Sequence, residues 1–575
     1  MGERIRATGA EMVVRGLLRE GAGTVFGHPG GAILPVYDAL HGSAIMHYLM
    51  RHEQGAAHAA DGFARASGRT GVCIATSGPG ATNLITGLAN AHMDSIGIVA
   101  LTGQVGLPLL GTDAFQEADI VGMTLPVVKH SYLARRTEDI PGVLHEAFYL
   151  AGTGRPGPVL VDLPKNVTAG VAEAEWPEGR PRLRGYRETP PPPRADDLDR
   201  AVEALRQARR PLVMIGGGCV KSRAEREVRA FVEALGCPAI ATLMGLGALP
   251  GDHPAHLGMM GMHGTPIANV ATTQTDLLIG LGVRFDDRVT GALAHFAPQA
   301  RILHLDIDRA EVGKNVPAYV ALVGDVRQVL GLLLARVGDA DVRRPWLPEL
   351  PTDMRPEDDR PFGYPREVHG DGRITGTETV EAIRDATHGD AIVVTDVGQH
   401  QMWAAQHYPF RRPGQFITSG GLGTMGFGLP AAIGAQVACP DRCVACMTGD
   451  GSFQMTLQEL AVVSTYKLPV KIFIFNNGYL GMVRQWQEMF YDERYSHSRM
   501  WSPDFVKLAE AYGIPAARAE RREDLAQVVR AAVERPGPVL VDVRQVAEEN
   551  CWPIVPAGKA LSDMIVRPPV AAARR

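Results

Sequence analysis

An octapeptide occurs twice in this chain, and its two copies constrain the fold more than any other feature. RPGPVLVD stands at residues 155–162 and again, unchanged, at residues 535–542. In the same order, TSGPG at 76–80 parallels TGDG at 448–451, each at the end of an apolar run. One short match is compatible with chance or with a common turn before a strand. Two matches whose copies are nearly equally far apart along the chain favour a duplicated α/β domain.

The pattern of apolar runs divides the chain into three α/β segments. Short β-branched runs alternate with helical patterns in each, which is typical of parallel sheets flanked by helices. Two proline-rich, charged stretches read as connectors. We expect a first domain at 1–170, a linker at 171–195, a central Rossmann-like domain at 196–340, a second linker at 341–373, a third domain at 374–555 and a C-terminal tail at 556–575.

Charge and hydropathy exclude two classes of partner. A net charge of -5 and a pI near 6.4 give no reason to expect a nucleic acid. Apolar stretches such as DLLIGLGV are too short to span a bilayer, so we expect no membrane partner. The opening stretch, MGERIRATGAEMVVRGLL, predicts an amphipathic helix rather than a signal sequence. We therefore expect a cytoplasmic protein.

The cysteines do not predict a disulfide framework, because seven is an odd number in a large chain. Cys439, Cys443 and Cys446 follow the spacing C-x3-C-x2-C, which can also hold an iron–sulfur cluster. Cys446, however, falls inside an apolar run just before a glycine. We interpret the three as core and loop residues.

An acid flanked by glycines, Asp450, follows the strand-like run CVACMT. Asn477 follows the next apolar run, PVKIFIF, and the distance between the two residues is that of one strand–helix–strand unit. Both residues are therefore expected at the carboxyl edge of one parallel sheet, where such sheets bind ligands. Carboxylate and amide oxygens suit Mg²⁺ completed by phosphate. Singly, each residue also fits a helix cap or a turn; together they favour a metal–diphosphate site.

A second acid stands out in the first segment. Glu53 follows the strand-like run AIMHYLM and opens an alanine-rich helical pattern. A glutamate in the first turn of a helix is favourable for the helix dipole alone. Small apolar neighbours, however, predict a poorly solvated carboxyl group that could hydrogen-bond a ligand.

The motif GDGSF…NN resembles the diphosphate–Mg²⁺ motif of thiamine diphosphate-dependent enzymes. The resemblance implies that Asp450, Asn477 and the backbone carbonyl of Tyr479 bind the metal. It also implies that Glu53 is the catalytic acid that drives the aminopyrimidine ring to its imino tautomer. The residues that would contact this cofactor are Glu53, Gly423, Met425, Gly449, Asp450, Gly451, Ser452, Asn477, Gly481 and Met482.

Further segments resemble the acetolactate synthase catalytic-subunit family, namely FGHPGGAILPVYDAL, GTDAFQEADI, GMHGT, GVRFDDRVTG, GGLGTMGFGLPAAIGAQ and NNGYLGMVRQWQEMFY. Within that family Met425 would bend the cofactor, Lys129 would lie at the substrate entry and Trp486 would shape the second-substrate pocket. Arg284 would hold the carboxylate of the second 2-keto acid, unless it forms an ion pair with Asp286 or Asp287. The complete implied substrate pocket is Gly31, Ala32, Phe115, Gln116, Lys129, Arg284, Met425 and Trp486.

A glycine loop, IGGGCV, follows a strand-like run in the central segment. Such a loop can admit a phosphate, although it lacks the full G-x-G-x-x-G spacing. The family resemblance implies a structural FAD here, since the expected reaction has no redox step. Its contacts would be Gly216, Gly217, Gly218, Thr242, Leu243, Met244, Gly261, Met262, His263, Gly282, Arg284, Asp286, Arg288, Asp306 and Asp325.

The same resemblance implies an activity and an assembly. The enzyme would decarboxylate pyruvate and transfer the hydroxyethyl unit to pyruvate, giving 2-acetolactate, or to 2-ketobutyrate, giving 2-aceto-2-hydroxybutyrate. This is the first step of valine, leucine and isoleucine biosynthesis. The implied assembly is a homodimer or a dimer of dimers, in which the first domain of one chain faces the third domain of another. The resemblance is also compatible with a separate regulatory small subunit. The alternatives are a sulfoacetaldehyde acetyltransferase, a flavin-free catabolic acetolactate synthase or a non-catalytic paralogue; RFDDR and RQWQ argue against the first two.

Overall fold

The structure is a computed structural model that describes residues 4–338, 341–355, 364 and 371–567. Within these residues it contains three six-stranded sheets and one two-stranded pair. Every strand pairing inside the three larger sheets is parallel. The predicted fold class, three domains each with a parallel sheet flanked by helices, is confirmed.

The first domain contributes eight strands and eight helices. Its strands are β1 Arg4–Thr8, β2 Thr24–Gly27, β3 Met46–Leu49, β4 Gly71–Ala75, β5 Ile98–Gln104, β6 His130–Leu133, β7 Val159–Pro164 and β8 Val171–Glu175. Its helices are α1 Gly9–Arg19, α2 Leu34–Leu40, α3 Glu53–Ser67, α4 Pro79–Thr82, α5 Ile85–Met93, α6 Ile120–Thr124, α7 Ile140–Gly152 and α8 Lys165–Ala169. The six-stranded sheet has the order β3-β2-β4-β5-β7-β6.

The start of the chain differs from the prediction, because residues 4–8 form a strand and the first helix begins only at Gly9. Inside β1 buried and exposed residues alternate, a period of two that the helical interpretation overlooked. Thr8 then starts α1 through a capping box with Glu11. The partner of β1 is β8, so residues 171–175, which were predicted as linker, belong to an antiparallel pair.

The central domain has a doubly wound sheet in the order β11-β10-β9-β12-β13-β14. Its strands are β9 Pro211–Ile215, β10 Ala239–Ala241, β11 His256–Met259, β12 Leu277–Leu281, β13 Arg301–Asp306 and β14 Val320–Val323. Its helices are α9 Ala195–Gln207, α10 Gly217–Lys221, α11 Glu225–Leu235, α12 Pro266–Gln274, α13 Asp287–Thr290 and α14 Val326–Val337. This order places a topological switch point, where dinucleotides bind in such sheets, between β9 and β12.

The third domain has the sheet order β16-β15-β17-β18-β20-β19. Its strands are β15 Ile392–Thr395, β16 Phe416–Ile417, β17 Val444–Gly449, β18 Lys471–Asn476, β19 Ala516–Ala519 and β20 Val539–Arg544. Its helices are α15 Gly376–Ala386, α16 Gln399–His407, α17 Gly428–Ala438, α18 Asp450–Gln454, α19 Leu460–Thr465, α20 Gly481–Phe490, α21 Phe505–Ala511 and α22 Arg522–Glu534, with a 3₁₀ helix at Leu457–Glu459 before α19.

The strand orders of the first and third domains are the same when the strands of each sheet are counted along the chain. The repeated octapeptide leads into β7 in one domain and into β20 in the other. These are the corresponding strands of the two sheets, so the topology supports the predicted duplication.

Two corresponding helices, α3 and α17, pack against each other and join the two domains. A Cβ added at Gly62 would lie 2.1 Å from the carbonyl oxygen of Ala431, and one at Gly434 would lie 1.9 Å from that of Ala59. The contact is reciprocal, as expected for two copies of one domain related by an approximate two-fold axis. Small residues permit this approach of the two backbones, and one hydrophobic core extends across both domains.

The remaining predictions about the chain concern cysteines, membranes and the tail. All seven cysteines are free, and Cys446 is buried in β17. Within the described residues, no cluster of three or more His, Cys, Asp or Glu side chains could hold a metal, and no helix is long and apolar enough to cross a membrane. In the predicted tail, Leu561 and Met564 pack against the central domain; residues 568–575 lie outside the described part.

Candidate active site

Asp450 and Asn477 lie next to each other's strands at the carboxyl edge of the sheet of the third domain. Asp450 directly follows β17 and Asn477 directly follows β18, and these two strands pair in parallel. Asp450 is 1% exposed. Its Oδ2 accepts a hydrogen bond from the Ser502 hydroxyl at 2.9 Å. Its Oδ1 is buried without a hydrogen-bond partner. Burial raises the pKa of Asp450 to about 6.

Asn477 begins a tight turn, in which its side-chain oxygen accepts the backbone N–H of Tyr479 at 3.0 Å. The segment opposite holds this turn through two backbone hydrogen bonds, Leu480 to Ser498 at 2.7 Å and Met500 to Gly478 at 2.8 Å. The turn that the sequence offered as the alternative role of Asn477 is therefore formed. It also keeps the amide beside the edge where Asp450 lies.

These residues fit a divalent cation on two observations. A buried carboxylate oxygen without a partner is costly unless a cation or a proton satisfies it. Carboxylate, amide and backbone carbonyl oxygens are the donors that Mg²⁺ accepts. Asp450, Asn477 and the carbonyl of Tyr479 could thus hold Mg²⁺ together with oxygens from a diphosphate.

Two polar residues at the start of α16 reach the same edge and were missed by the sequence analysis. The Oε1 atom of Gln399 and the Nε2 atom of His400 are buried without hydrogen-bond partners. Burial lowers the pKa of His400 to about 3, so its ring is neutral. A Cβ on Gly481 would lie 2.1 Å from Gln399 Oε1, and one on Gly449 would lie 3.1 Å from His400 Cε1. The sequence DVGQH, a glycine between a strand and a helix, was the available signal.

The other residues predicted to contact thiamine diphosphate surround this edge. The Ser452 hydroxyl donates to the carbonyl of Val397 at 3.0 Å. Gly451 follows Asp450 inside α18, and Met482 is partly buried in α20. Gly423 and Met425 lie in the loop before α17. Thr424, between these two residues, donates to the side-chain oxygen of Asn90 in the first domain at 3.1 Å.

Glu53 is the first residue of α3 and is 9% exposed. One of its carboxylate oxygens accepts a hydrogen bond from the Asn83 amide at 3.0 Å. A Cβ on Gly80 would lie 3.3 Å from the other oxygen. The preceding residue, His52, caps the helix by accepting the N–H of Gln54. The acid is thus held at a fixed place on the carboxyl edge of the first sheet.

The predicted pocket residues of the first domain lie around the end of β4. The N–H of Ala32, next to Gly31, donates to the Thr76 hydroxyl at 3.3 Å. Gln116 has a φ of +60°, and its Cβ would lie 2.9 Å from a Cβ on Gly78. Phe115 is 88% exposed. In the third domain, Trp486 of α20 makes an edge-to-face contact with Phe490 at 5.3 Å.

Lys129 is not brought to this site, which corrects the prediction. It precedes β6 and therefore lies at the amino edge of the sheet, opposite the carboxyl edge. Its ammonium group donates to the carbonyls of Leu150 at 2.6 Å and Thr153 at 2.7 Å, and to the hydroxyl of Tyr186 at 3.0 Å. Burial lowers the pKa of Lys129 to about 8. Three internal oxygens thus give this lysine a role in packing.

Arg284 spans the first and central domains. Its guanidinium donates to the carbonyl of Met93 at 2.9 Å and lies 3.6 Å from the carboxylate of Asp286. The ion pair named as the alternative in the sequence analysis is therefore present. The same group lies near the loop of the third domain, because a Cβ on Gly421 would be 3.2 Å from it.

The residues predicted to contact FAD follow the carboxyl ends of the central strands. Gly216–Gly218 follow β9 and Gly282 follows β12, on the two sides of the switch point. Gly282 has a φ of +59°, and a Cβ on Gly218 would lie 2.7 Å from its Cα, so the two loops meet. The rest of the set is distributed as Thr242, Leu243 and Met244 after β10, Gly261, Met262 and His263 after β11, Asp286 and Arg288 at α13, Asp306 at the end of β13 and Asp325 after β14.

Comparison with known proteins agrees with this architecture. Residues 7–123 match the N-terminal TPP binding domain of thiamine pyrophosphate enzymes. Residues 198–333 match the central domain of the same enzymes, and residues 396–543 match their C-terminal TPP binding domain.

Full-length relatives show the same correspondence. The chain is 48% identical to the acetolactate synthase isozyme 2 large subunit of Escherichia coli (strain K12), over 97% of this chain and 99% of the relative. It is also 48% identical to the acetolactate synthase large subunit of Parasynechococcus marenigrum, over 98% and 91% of the two chains. A probable chloroplastic acetolactate synthase 2 of Oryza sativa subsp. japonica is 46% identical, over 98% and 87%. The chain therefore belongs to the acetolactate synthase large-subunit family of thiamine pyrophosphate enzymes.

Proposed function

We propose that this protein is an acetolactate synthase, which decarboxylates pyruvate and transfers the two-carbon unit to a second 2-keto acid. Pyruvate as acceptor gives 2-acetolactate, and 2-ketobutyrate gives 2-aceto-2-hydroxybutyrate, at the start of branched-chain amino acid biosynthesis. The observation that carries the proposal is the partnerless buried Oδ1 of Asp450 beside Asn477, in a chain with large-subunit relatives along its whole length.

In this proposal Asp450, Asn477 and the carbonyl of Tyr479 hold Mg²⁺, which binds the diphosphate of thiamine diphosphate. The bound cofactor supplies a nucleophilic carbon and an electron sink for decarboxylation. Glu53 holds a proton at the aminopyrimidine ring nitrogen and thereby favours its imino form. Met425 and Trp486 shape the space for the substrates. Gln399 and His400 add polar contacts beside the diphosphate.

The finer parts of the proposal rest on family membership and on the central sheet. The central domain binds FAD at its switch point through the glycines after β9 and β12, which fits the doubly wound order. Its role is structural, since the reaction transfers no electrons to it. The enzyme is a cytoplasmic homodimer or dimer of dimers. Relatives described as large subunits support a separate regulatory small subunit.

Product analysis tests the proposal. The purified protein is incubated with pyruvate alone and with pyruvate plus 2-ketobutyrate, each with and without Mg²⁺ and thiamine diphosphate. We expect 2-acetolactate in the first case, both products in the second, and neither product without the cofactors. A purified protein that shows flavin absorption but consumes no oxygen supports the structural FAD. Acetaldehyde as the sole product, or oxygen uptake, contradicts the proposal.

A further inference from the structure

The segment that leads into Glu53 is held by the third domain of the same chain. The N–H of Leu49, at the end of β3, donates to the hydroxyl of Tyr466 at 2.9 Å. That hydroxyl in turn donates to the carbonyl of His47 at 3.2 Å. Tyr466 directly follows α19. The end of an edge strand in the first domain is therefore attached to a helix end in the third.

Glu459 holds the next two residues. Its carboxylate accepts the N–H of Arg51 through both oxygens, at 3.2 and 3.1 Å, and the N–H of His52 through Oε1 at 3.0 Å. The side chain is fully buried. The residue after His52 is Glu53, so the carboxylate of Glu459 fixes the backbone immediately before the acid. In its ionised form this carboxylate also lies where the α3 dipole favours an anion.

The surroundings are built for this contact. A Cβ on Gly55 would lie 2.5 Å from Glu459 Oε1, so a glycine in the first turn of α3 leaves room for the carboxylate. Burial raises the pKa of Glu459 to about 7, and the charge of Glu53 acts in the same direction. The N–H groups of Arg51 and His52 and the charge of Arg51 oppose this rise.

Glu459 also belongs to the segment that carries the predicted metal ligand. Asp450 opens α18, and the chain then runs directly through the 3₁₀ helix to Glu459. A change in the position of α18 would therefore be transmitted over a short stretch of chain to the start of α3. Within the first domain, the hydrogen bond from the Asn83 amide also positions the carboxylate of Glu53.

We propose that Glu459 and Tyr466 are positioning residues that set the place of Glu53 from the third domain. The inference rests on the catalytic role proposed above for Glu53. Neither residue is proposed to touch substrate. Both act through the backbone of residues 47–52.

The first test uses the protein without cofactor. Glu459→Gln and Tyr466→Phe are compared with the wild type by hydrogen–deuterium exchange. We expect the amide of Leu49 to exchange about tenfold faster in Tyr466→Phe, which removes its acceptor. We expect those of Arg51 and His52 to exchange about tenfold faster in Glu459→Gln, which replaces one of the two accepting oxygens with an NH₂ group, the size of one lost hydrogen bond. Glu378→Gln is the matched control, because Glu378 is a buried carboxylate of the third domain that accepts the N–H of Thr375 at a helix start. Unchanged exchange at residues 47–53 in both variants overturns the inference.

The second test measures exchange of the cofactor proton whose removal Glu53 is proposed to promote. Exchange of the thiazolium C2 proton of bound thiamine diphosphate in D₂O is quenched with acid and read by proton NMR. We expect about tenfold slower exchange per bound cofactor in Glu459→Gln and Tyr466→Phe, with unchanged affinity for thiamine diphosphate and Mg²⁺. Tyr466→Phe decides alone if Glu459→Gln does not fold.

The controls separate two kinds of failure. If Glu53→Gln exchanges the proton as fast as the wild type, the proposed role of Glu53 fails. If Glu53→Gln is slow while Glu459→Gln and Tyr466→Phe match the wild type, only the positioning inference fails. Loss of folded protein without a change in the rate per bound cofactor also contradicts the inference.

Discussion

In both the first and the third domain, the last residue of the repeated octapeptide is a strand aspartate that is buried against an amide side chain on the neighbouring strand. Asp162 accepts from Gln104 at 3.0 Å, and Asp542 accepts from Asn476 at 2.8 Å. Gln104 and Asn476 have the same separation along the chain as the TSGPG and TGDG segments. The pair thus occupies corresponding places in the two copies.

The copies differ in what else surrounds the aspartate. Asp162 receives a further hydrogen bond from the Thr102 hydroxyl at 2.7 Å. Asp542 instead faces two arginines, Arg518 at 3.0 Å and Arg544 at 3.3 Å. A duplicated scaffold can therefore keep a buried polar pair and change its charge balance.

The carboxyl edges differ more, and there the difference concerns chemistry. When the two glycine-rich turns are aligned, Gly78 of the first domain corresponds to Asp450 of the third, and Glu53 corresponds to Met425. The first domain has an acid, Glu53, at the start of α3 and none directly after β4. The third domain has Asp450 directly after β17 and Met425, which is not an acid, before α17. Each copy thus supplies the half of the proposed site that the other lacks.

Removing the acid of the third domain should have the largest effect. Asp450→Asn removes the charge of the proposed metal ligand, so we expect turnover to fall about a thousandfold and to lose its dependence on Mg²⁺. Ser502→Ala removes only the hydrogen bond to Asp450 and should cost less than about tenfold. Steady-state rates across a Mg²⁺ titration measure both. Normal activation of Asp450→Asn by Mg²⁺ would falsify the metal assignment.

Removing the acid of the first domain should leave binding intact. Glu53→Gln keeps the shape of the side chain but cannot exchange the proton, so we expect turnover to fall at least about a hundredfold. Thiamine diphosphate and Mg²⁺ should still bind, as an equilibrium titration would report. Glu11→Gln, at the start of another helix of the same domain, is the control and should retain full turnover. Turnover of Glu53→Gln at the wild-type rate is the contrary result.

Substitution of the two buried aspartates should lower the stability of the protein by different amounts. Asp542→Asn leaves two arginines with one partner fewer, and because both are partly exposed we expect a loss of about 2 kcal/mol in the free energy of unfolding. Asp162→Asn loses no ion pair and should cost about 1 kcal/mol or less at pH 8. Denaturant unfolding at pH 8 measures both. Equal losses would show that the arginines add nothing.

The pH dependence of protein stability tests the environment of Asp162. Burial raises the pKa of Asp162 to about 7, above the value of about 4 expected in the unfolded chain. Between these values the folded protein binds more protons than the unfolded chain, so this group makes stability fall as pH rises from 4 to 7. From pH 5 to pH 8 the wild type should lose about 2.5 kcal/mol relative to Asp162→Asn. A difference that stays constant with pH would contradict this.

The smallest effect on activity is expected from two lysines at the amino edges. Lys129 donates to carbonyls that precede β7, and Lys471 donates to the carbonyls of Arg535 and Gly537, which precede β20. Lys129→Met and Lys471→Met should each lower stability by about 1 kcal/mol and leave the KM for pyruvate within about twofold of the wild type. A tenfold rise in KM for Lys129→Met alone would support the original prediction that Lys129 lies at the substrate entry.

Local patterns were sufficient to predict much of this molecule. The octapeptide repeat indicated the duplication, and the spacing from Asp450 to Asn477 placed both residues at one sheet edge, since a strand–helix–strand unit has a typical length. The position of Glu53 at the start of a helix followed from the switch between apolar periods.

Other features depend on contacts that are distant in sequence. The strand at residues 4–8 is stabilised by residues 171–175, and a five-residue alternation beside a helical pattern gave little signal. The family resemblance assigned Lys129 to the substrate entry, but its place at the amino edge follows only from the position of β6. The hydrogen bonds from the backbone of Arg51 and His52 to Glu459 connect the first domain with the third, and no local sequence pattern predicts them.

The family resemblance implies that one active site combines Glu53 of one chain with Asp450 and Asn477 of another, and mixed dimers test this proposal. Chains carrying Glu53→Gln and chains carrying Asp450→Asn are coexpressed with different tags, and dimers with one chain of each kind are purified through both tags. Each homodimer is inactive, but the mixed dimer contains one site with both native acids, so we predict about half of the wild-type activity. Mixed dimers as inactive as the two parents would contradict the account.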